Sequence, residues 1–146
     1  MTHLTFTLDA NDGWPPVARE GFECRKRDDG VYEVLAPPLF VPNLSVGDVI
    51  SVEVDEEGYV RGWLHVAKSA NSTVWLMELE AETVTPLLEC LKSLRCEIVS
   101  FTEFHYYSVN IPADCSEDAL DCCLGLVDDT QVAKAFPSFR HGKVRS

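Results

Sequence analysis

The chain has 146 residues, of which 46% are hydrophobic and 25% charged, a balance that excludes a disordered polymer. Its formal charge is −12 and its sequence pI about 4.6, which argues against nucleic acid and anionic membranes, since phosphate contacts need Lys and Arg. A positively charged partner or ligand suits such a field better.

Met1 to Leu8 carries no apolar block of signal-peptide length, and no window approaches eighteen consecutive apolar residues. A cytoplasmic location is therefore expected. The six cysteines (Cys24, Cys90, Cys96, Cys115, Cys122 and Cys123) are accordingly read as reduced thiols, several of them core residues.

Thr2 to Leu8 predicts a strand with Leu4, Phe6 and Leu8 on one face. Asp12-Gly13-Trp14-Pro15-Pro16 cannot continue it, because two prolines fix φ and remove two donors; Trp14 should anchor this turn to the body. Val31 to Leu35 follows the turn signal Asp28-Asp29-Gly30 as a second strand. Pro37, Pro38 and Pro42 then place Phe40 on an irregular connector. Val49 to Val54 and Tyr59 to Val66 form a hairpin across Asp55-Glu56-Glu57-Gly58.

Further on, Val74 to Leu79 predicts a strand, and Val84, Leu87, Leu88, Leu91 and Leu94 recur at helical spacing after Thr85-Pro86. Cys96 to Phe101 and Phe104 to Ile111 follow as two strands. Ser116 is placed to cap a second helix that turns Ala119, Leu120, Cys123, Leu124 and Val127 inward.

The expected fold is α+β. A small N-terminal β barrel or curved sheet occupies residues 1–72. A ferredoxin-like α/β sandwich, strand-helix-strand-strand-helix, occupies residues 73–130. Residues 131–146 form a basic C-terminal tail, from which a last strand could come. Within it Lys134, Arg140, Lys143 and Arg145 are expected to be solvated rather than folded back. Neither half promises a large core alone, so the chain is expected to be one structural unit.

The histidines stand far apart, and no Cys-x2-Cys, His-x3-His, Gly-x-Ser-x-Gly or phosphate-cradling glycine loop occurs. No metal, cofactor or catalytic residue is therefore assigned, and the chain is expected not to be an enzyme. The enzymatic alternative would use Cys24 beside Arg25-Lys26-Arg27, or a carboxylate pair. Acids concentrate in the second half: twelve lie between Glu78 and Asp129, against Lys92 and Arg95 alone. Glu78, Glu80 and Glu82 alternate as if on one exposed face. Asp114, Glu117, Asp118 and Asp121 gather at the start of the second helix, where the dipole favours them. Asp128-Asp129 add charge past its end, which hints at selection for an acidic surface.

Asp12-Gly13-Trp14-Pro15-Pro16, Glu20, the Tyr32 to Phe40 stretch, Gly47-Asp48 and Ser69 to Thr73 together resemble a bacterial family numbered 4265 among the domains of unknown function. The resemblance covers residues 4–80 best. Leu91-Lys92-Ser93-Leu94-Arg95-Cys96-Glu97 is similar to the family's helix end, with Arg95 in place of the usual glycine. Ala36-Pro37-Pro38-Leu39-Phe40 departs from the family's Asn-x-Pro-Phe-Phe, and Ala70-Asn71 from its Gly-His. The resemblance implies no catalytic residues; by analogy its compact members look like accessory or immunity-type proteins.

The leading expectation is an immunity- or antitoxin-like protein that neutralises a basic toxin domain by direct binding. Glu78, Glu80, Glu82, Asp114, Glu117, Asp118 and Asp121 would supply charge. Tyr106, Tyr107 or Trp75 would anchor the contact. The alternative is a small-molecule-sensing module with a cleft between the two halves, lined by Trp14, Phe40 and Trp63. The oligomeric state is left open.

Overall fold

The computed structural model describes residues 2–142, and among these the chain forms nine strands and two α-helices, an α+β protein. Five strands come first: β1 (Thr2–Thr7), β2 (Arg19–Asp28), β3 (Val31–Val34), β4 (Val49–Val54) and β5 (Val60–Ala67). They pair antiparallel in chain order, and β1 meets β5 again through one parallel pair, Phe6 with Val60. The sheet therefore curls until its two edges touch at a single point. Phe6 and Phe22 stack at 4.8 Å in the interior, with Leu4, Cys24, Val34, Leu44 and Ile50 buried around them.

Strand β2 is an element beyond those expected from the sequence. Its inward set is Glu20, Phe22 and Cys24, and its outward set is charged or glycine, so the apolar alternation is only two residues long. Gly47, at φ 90°, turns the chain into β4; its N–H donates to the Val34 carbonyl. A Cβ there would lie 3.1 Å from that of Ser69, so this turn needs glycine twice over.

The second half comprises β6 (Ser72–Glu78), α1 (Thr85–Ser93), β7 (Glu97–Phe101), β8 (Tyr106–Ile111), α2 (Glu117–Leu124) and β9 (Val132–Ser138). Its sheet runs β7-β8-β6-β9 with every neighbouring pair antiparallel. Val74, Leu76, Val109 and Ile111 share one core with Leu87 and Leu91 of α1 and Leu120 and Cys123 of α2. Ser116 caps α2 by accepting the Ala119 N–H at 3.1 Å. Helix α1 starts one residue earlier than the proline signal suggests, at cap residue Val84, whose N–H donates to the Glu78 carboxylate at 3.0 Å. It ends in a Schellman turn: Cys96 N–H reaches the Leu91 carbonyl and Arg95 N–H that of Lys92. Arg95 takes the left-handed position at φ 65°, where the resemblance has glycine.

Two sequence expectations are corrected. Cys90 and Cys123 are not reduced thiols but form a disulfide between α1 and α2. Residues 33 apart in sequence face each other on packed helices with Cα atoms 5.6 Å apart, a proximity that spacing cannot reveal. The segment read as a solvated basic tail is, through Ser138, the edge strand β9 paired with β6. Lys134 donates to the Val127 carbonyl and to Asp129, and Arg140 is drawn back onto Asp48. The expectations for Lys143 and Arg145 fall outside the described residues.

Candidate ligand-binding cleft

The two halves meet over a polar and aromatic face rather than an oily one. Thr73, Trp75, Tyr106 and Ser108 alternate with the core residues of β6 and β8 and so point away from the helices, toward the loop joining β3 to β4. That loop has a particular accounting problem. Pro37, Pro38 and Pro42 carry no N–H, which leaves Leu39, Phe40 and Val41 as consecutive donors between prolines. All three donate to one carboxylate, Glu20 of β2; the Phe40 and Val41 bonds are 2.9 and 3.0 Å long. The loop carbonyls are satisfied from the other side. Trp75 Nε1 and Ser108 Oγ donate to Pro38, and Tyr106 Oη donates to Leu39 at 2.6 Å. Burial raises the Glu20 pKa above the usual carboxylate value, with its three N–H donors pulling the other way. Burial, with Glu20 nearby, also drives Tyr106 upward.

A second polar junction lies around Asp48, whose side chain is fully buried. Its carboxylate accepts from both terminal nitrogens of Arg140, from the backbone N–H groups of Ser45 and Ser69, and lies 2.9 Å from His65 Nε2. Burial alone would raise its pKa, but the Arg140, Ser69, Ser45 and His65 bonds outweigh it and the net shift is downward. His141 extends the junction, with Nε2 donating to the Pro112 carbonyl and Nδ1 2.6 Å from Ser72 Oγ.

Beside the Glu20 junction opens a cleft of about 540 Å³. The end of β1 with Leu8 and Asp9, the Trp14-Pro15 turn, Phe40 to Pro42, Val60 to Trp63 and Trp75 line it. It forms because β1 and β5 part on either side of their single contact at Phe6 and Val60. The Trp14-Pro15 peptide is cis, and the Trp14 ring lies edge-on to Phe40 at 5.6 Å, to Tyr106 at 5.3 Å and to Phe104 at 6.1 Å. All three tryptophans of the chain line this one cleft. A smaller hollow of about 190 Å³ continues past Trp14 and Trp75 to Tyr106 and Ala133 to Ala135. Two charged side chains stand in the cleft lining, Asp9 and Arg61, and the Arg61 guanidinium is paired with Glu53 at 2.5 Å. The arrangement can hold a ligand by apolar and aromatic contact with a few orienting polar groups.

Trp14, Phe40 and Trp63 are thus brought together around one space. The residues expected to bind a partner protein are not. Tyr106 is buried at 3% exposure in the aromatic cluster, not displayed at a surface. Glu78 is not on a shared exposed face: its carboxylate caps α1, and the extended chain ends there. Glu80 and Glu82 sit in the exposed turn that follows, with Glu82 at φ 67°. Tyr107 is half-buried against the helix core. Asp114 is exposed, 3.5 Å from Arg95. Asp118 and Asp121 are exposed on α2, whereas Glu117 is half-buried with its carboxylate against Gly142.

Asp128 and Asp129 have local work that explains their acidity without a partner. Asp128 accepts from Thr130 and Gln131 in a tight turn, and Asp129 pairs with Lys134. Cys24 is buried in the first core, where desolvation and then the neighbouring Glu23 push its thiol up to about 12, so it stays protonated at neutral pH. Among the described residues no group of three or more His, Cys, Asp or Glu is placed to hold a metal ion, and no helix is long and apolar enough to cross a membrane. Sequence reasoning missed the roles of Glu20 and the Asp48–Arg140 pair. The signal for Glu20 was the proline-bounded run of three donors, which needs an acceptor from elsewhere. Nothing local pairs Asp48 with a residue 92 positions away.

A family model described as Domain of unknown function (DUF4265) matches residues 20–134. No curated protein matches the chain. Among solved structures, a hypothetical protein from Neisseria gonorrhoeae superposes with a TM-score of 0.75 at 21% identity, covering 95% of this chain and 96% of that one. At that identity the likeness concerns the fold alone.

Proposed function

We propose that this chain, which belongs to the family described as Domain of unknown function (DUF4265), is a non-enzymatic module that binds a small ligand in the tryptophan-lined cleft that its first half forms with Trp75 of the second. The observation that carries this reading is the convergence of all three tryptophans and Phe40 on a single open space. Tryptophans spent only on a core would be enclosed; Trp14 is 38% exposed at the cleft mouth. The loop bearing Phe40 is fixed from both sides by Glu20 and by Trp75, Ser108 and Tyr106, so the site is preformed.

The finer architecture fits this role. The second half reads as a ferredoxin-like sandwich, supported by the order β6-α1-β7-β8-α2-β9 and the sheet order β7-β8-β6-β9. The first half reads as a small barrel, supported by the Phe6–Val60 contact that brings its edges together. A metabolite screen by thermal shift, followed by tryptophan fluorescence titration, tests the proposal. A saturable rise in melting temperature that is lost in Trp14→Ala supports it. A set of hits whose effect is untouched by Trp14→Ala and by Trp63→Ala sinks it.

A second reading, neutralisation of a basic toxin domain in the cytoplasm, is favoured by the −12 charge and by exposed Glu80, Glu82, Asp118 and Asp121. Reversing those four charges should slow association with such a partner and flatten its salt dependence. A partner found to bind the reversed variant unchanged would remove this reading.

A further inference from the structure

We infer that the ligand group held in this cleft is a methylated or quaternary ammonium, an inference that rests on the ligand-binding role proposed above. Ring geometry is the first argument. Trp14 and Phe40 meet at an interplanar angle of 75°, and Trp75 stands at 74° to Tyr106 behind them. Trp63 lines the same cleft and is held at 86° to His65, which lies outside the lining. A flat ligand stacked on Trp14 or on Phe40 would meet the other ring edge-on. A compact, nearly spherical cation touches rings at several inclinations at once, which is how aromatic cages take trimethylammonium groups.

Charge is the second argument. Indole and phenyl faces carry the negative side of the ring quadrupole and favour cations. Asp9 stands exposed at the rim, and the one basic side chain of the lining, Arg61, is already matched by Glu53. An anion entering here would meet Asp9, the ring faces and the field of a chain with twice as many acids as bases, 24 against 12. The cleft, at about 540 Å³, is roomier than an ammonium headgroup requires, so it also accommodates the stem that bears it.

Two sources present this chemistry: a free metabolite such as choline, or a trimethylated lysine on a protein. The test is a tryptophan fluorescence titration of the intact chain with four probes. These are choline; its neutral carbon isostere 3,3-dimethylbutan-1-ol; a short peptide carrying trimethyllysine; and the same peptide with unmodified lysine. The expected result is saturable quenching by choline or by the methylated peptide, at least roughly tenfold tighter than by the uncharged or unmodified control. Choline alone identifies the metabolite; preference for the peptide identifies the protein source. Asp9→Asn, at an exposed site, should weaken the cation several-fold and leave the isostere unchanged.

Equal binding of choline and its isostere would overturn the inference while leaving an apolar ligand site in place. The anionic dye anilinonaphthalene sulfonate provides the separate arm. Energy transfer from the tryptophans to a dye bound in the cleft, with no response to either cation, overturns the ammonium assignment alone. Silence from every probe, dye included, overturns both the assignment and the ligand-binding role.

Discussion

Two buried carboxylates brace this molecule by opposite means, Glu20 within the first half and Asp48 between that half and the chain beyond β9. Glu20 is surrounded by dipoles: three backbone N–H groups of one proline-bounded loop. Asp48 is surrounded by dipoles and a cation: two backbone N–H groups, His65 and the fork of Arg140. Both pay desolvation, yet the net shift is upward for Glu20 and downward for Asp48. Three aligned N–H groups leave the burial of Glu20 uncompensated, whereas two N–H groups together with Arg140 and His65 outweigh that of Asp48. The difference also divides the labour. The Glu20 junction shapes the cleft wall, and the Asp48 junction ties the chain beyond β9 to the first sheet.

The hardest blow to the comparison is Arg140→Met, which leaves Asp48 buried without its cation. Urea unfolding should show a loss of about 3–5 kcal/mol at neutral pH. The pH dependence should change sign as well. In the native chain the folded pKa of Asp48 is lowered. Its contribution is therefore complete above the ordinary carboxylate value of 3.8 and is lost as pH falls through the lower folded value. Without Arg140, mild acid should relieve the buried charge and narrow the deficit. A deficit that grows on acidification would mean that Arg140 is not what lowers the Asp48 pKa.

Reduction of Cys90–Cys123 comes next and serves as a control far from both junctions. By loop-closure entropy for a separation of 33 residues it should cost about 2–4 kcal/mol, read from unfolding with and without dithiothreitol. Ligand affinity should not move, because neither cysteine lines the cleft. Glu20→Gln should cost about 1–3 kcal/mol, since an amide keeps one acceptor but sets an NH2 group against a backbone donor. The raised Glu20 pKa fixes its sign with pH: stability from the protonated group is full below the unfolded value near 4.5 and is lost as pH rises through the folded one. The Gln variant's deficit should therefore shrink as pH rises above 4.5. The smallest effect is Trp75→Phe, about 1 kcal/mol, because Pro38 loses one donor and keeps Ser108. Fluorescence of that variant should still respond to ligand through Trp14 and Trp63.

Local patterns made much of the second half legible. The leucines of α1, the Ser116 cap and the alternation of β8 all speak within a few residues of one another. The alternation of Tyr106 and Tyr107 was readable too, but which face is turned to which half was not, because that depends on β6 and on the Pro38 loop. Strand β2 stayed hidden because a strand that buries a glutamate and displays arginines lacks the usual apolar beat. For the cleft, Trp14, Phe40 and Trp63 were visible as aromatics on irregular or edge positions. Trp75 was assigned to a protein surface instead. Its true direction is set by strand register, which sequence does not print. The disulfide and the Asp48–Arg140 pair were illegible for one shared reason: both join residues distant in sequence that only tertiary packing makes neighbours.

The distance from Asp48 to Arg140, 92 residues, also imposes an order on the protein's birth. At ordinary elongation rates Asp48 leaves the ribosome on the order of ten seconds before its guanidinium partner is made. The first five strands pair in chain order and need no later residue to find one another. Their nascent sheet must therefore wait with an aspartate whose cation does not yet exist, and with Pro38 and Leu39 carbonyls facing water. In that interval the cleft lacks Trp75, the one lining residue that the second half supplies. The loop that carries Phe40 gains its second set of anchors, from Trp75, Tyr106 and Ser108, only when the chain closes over its own beginning.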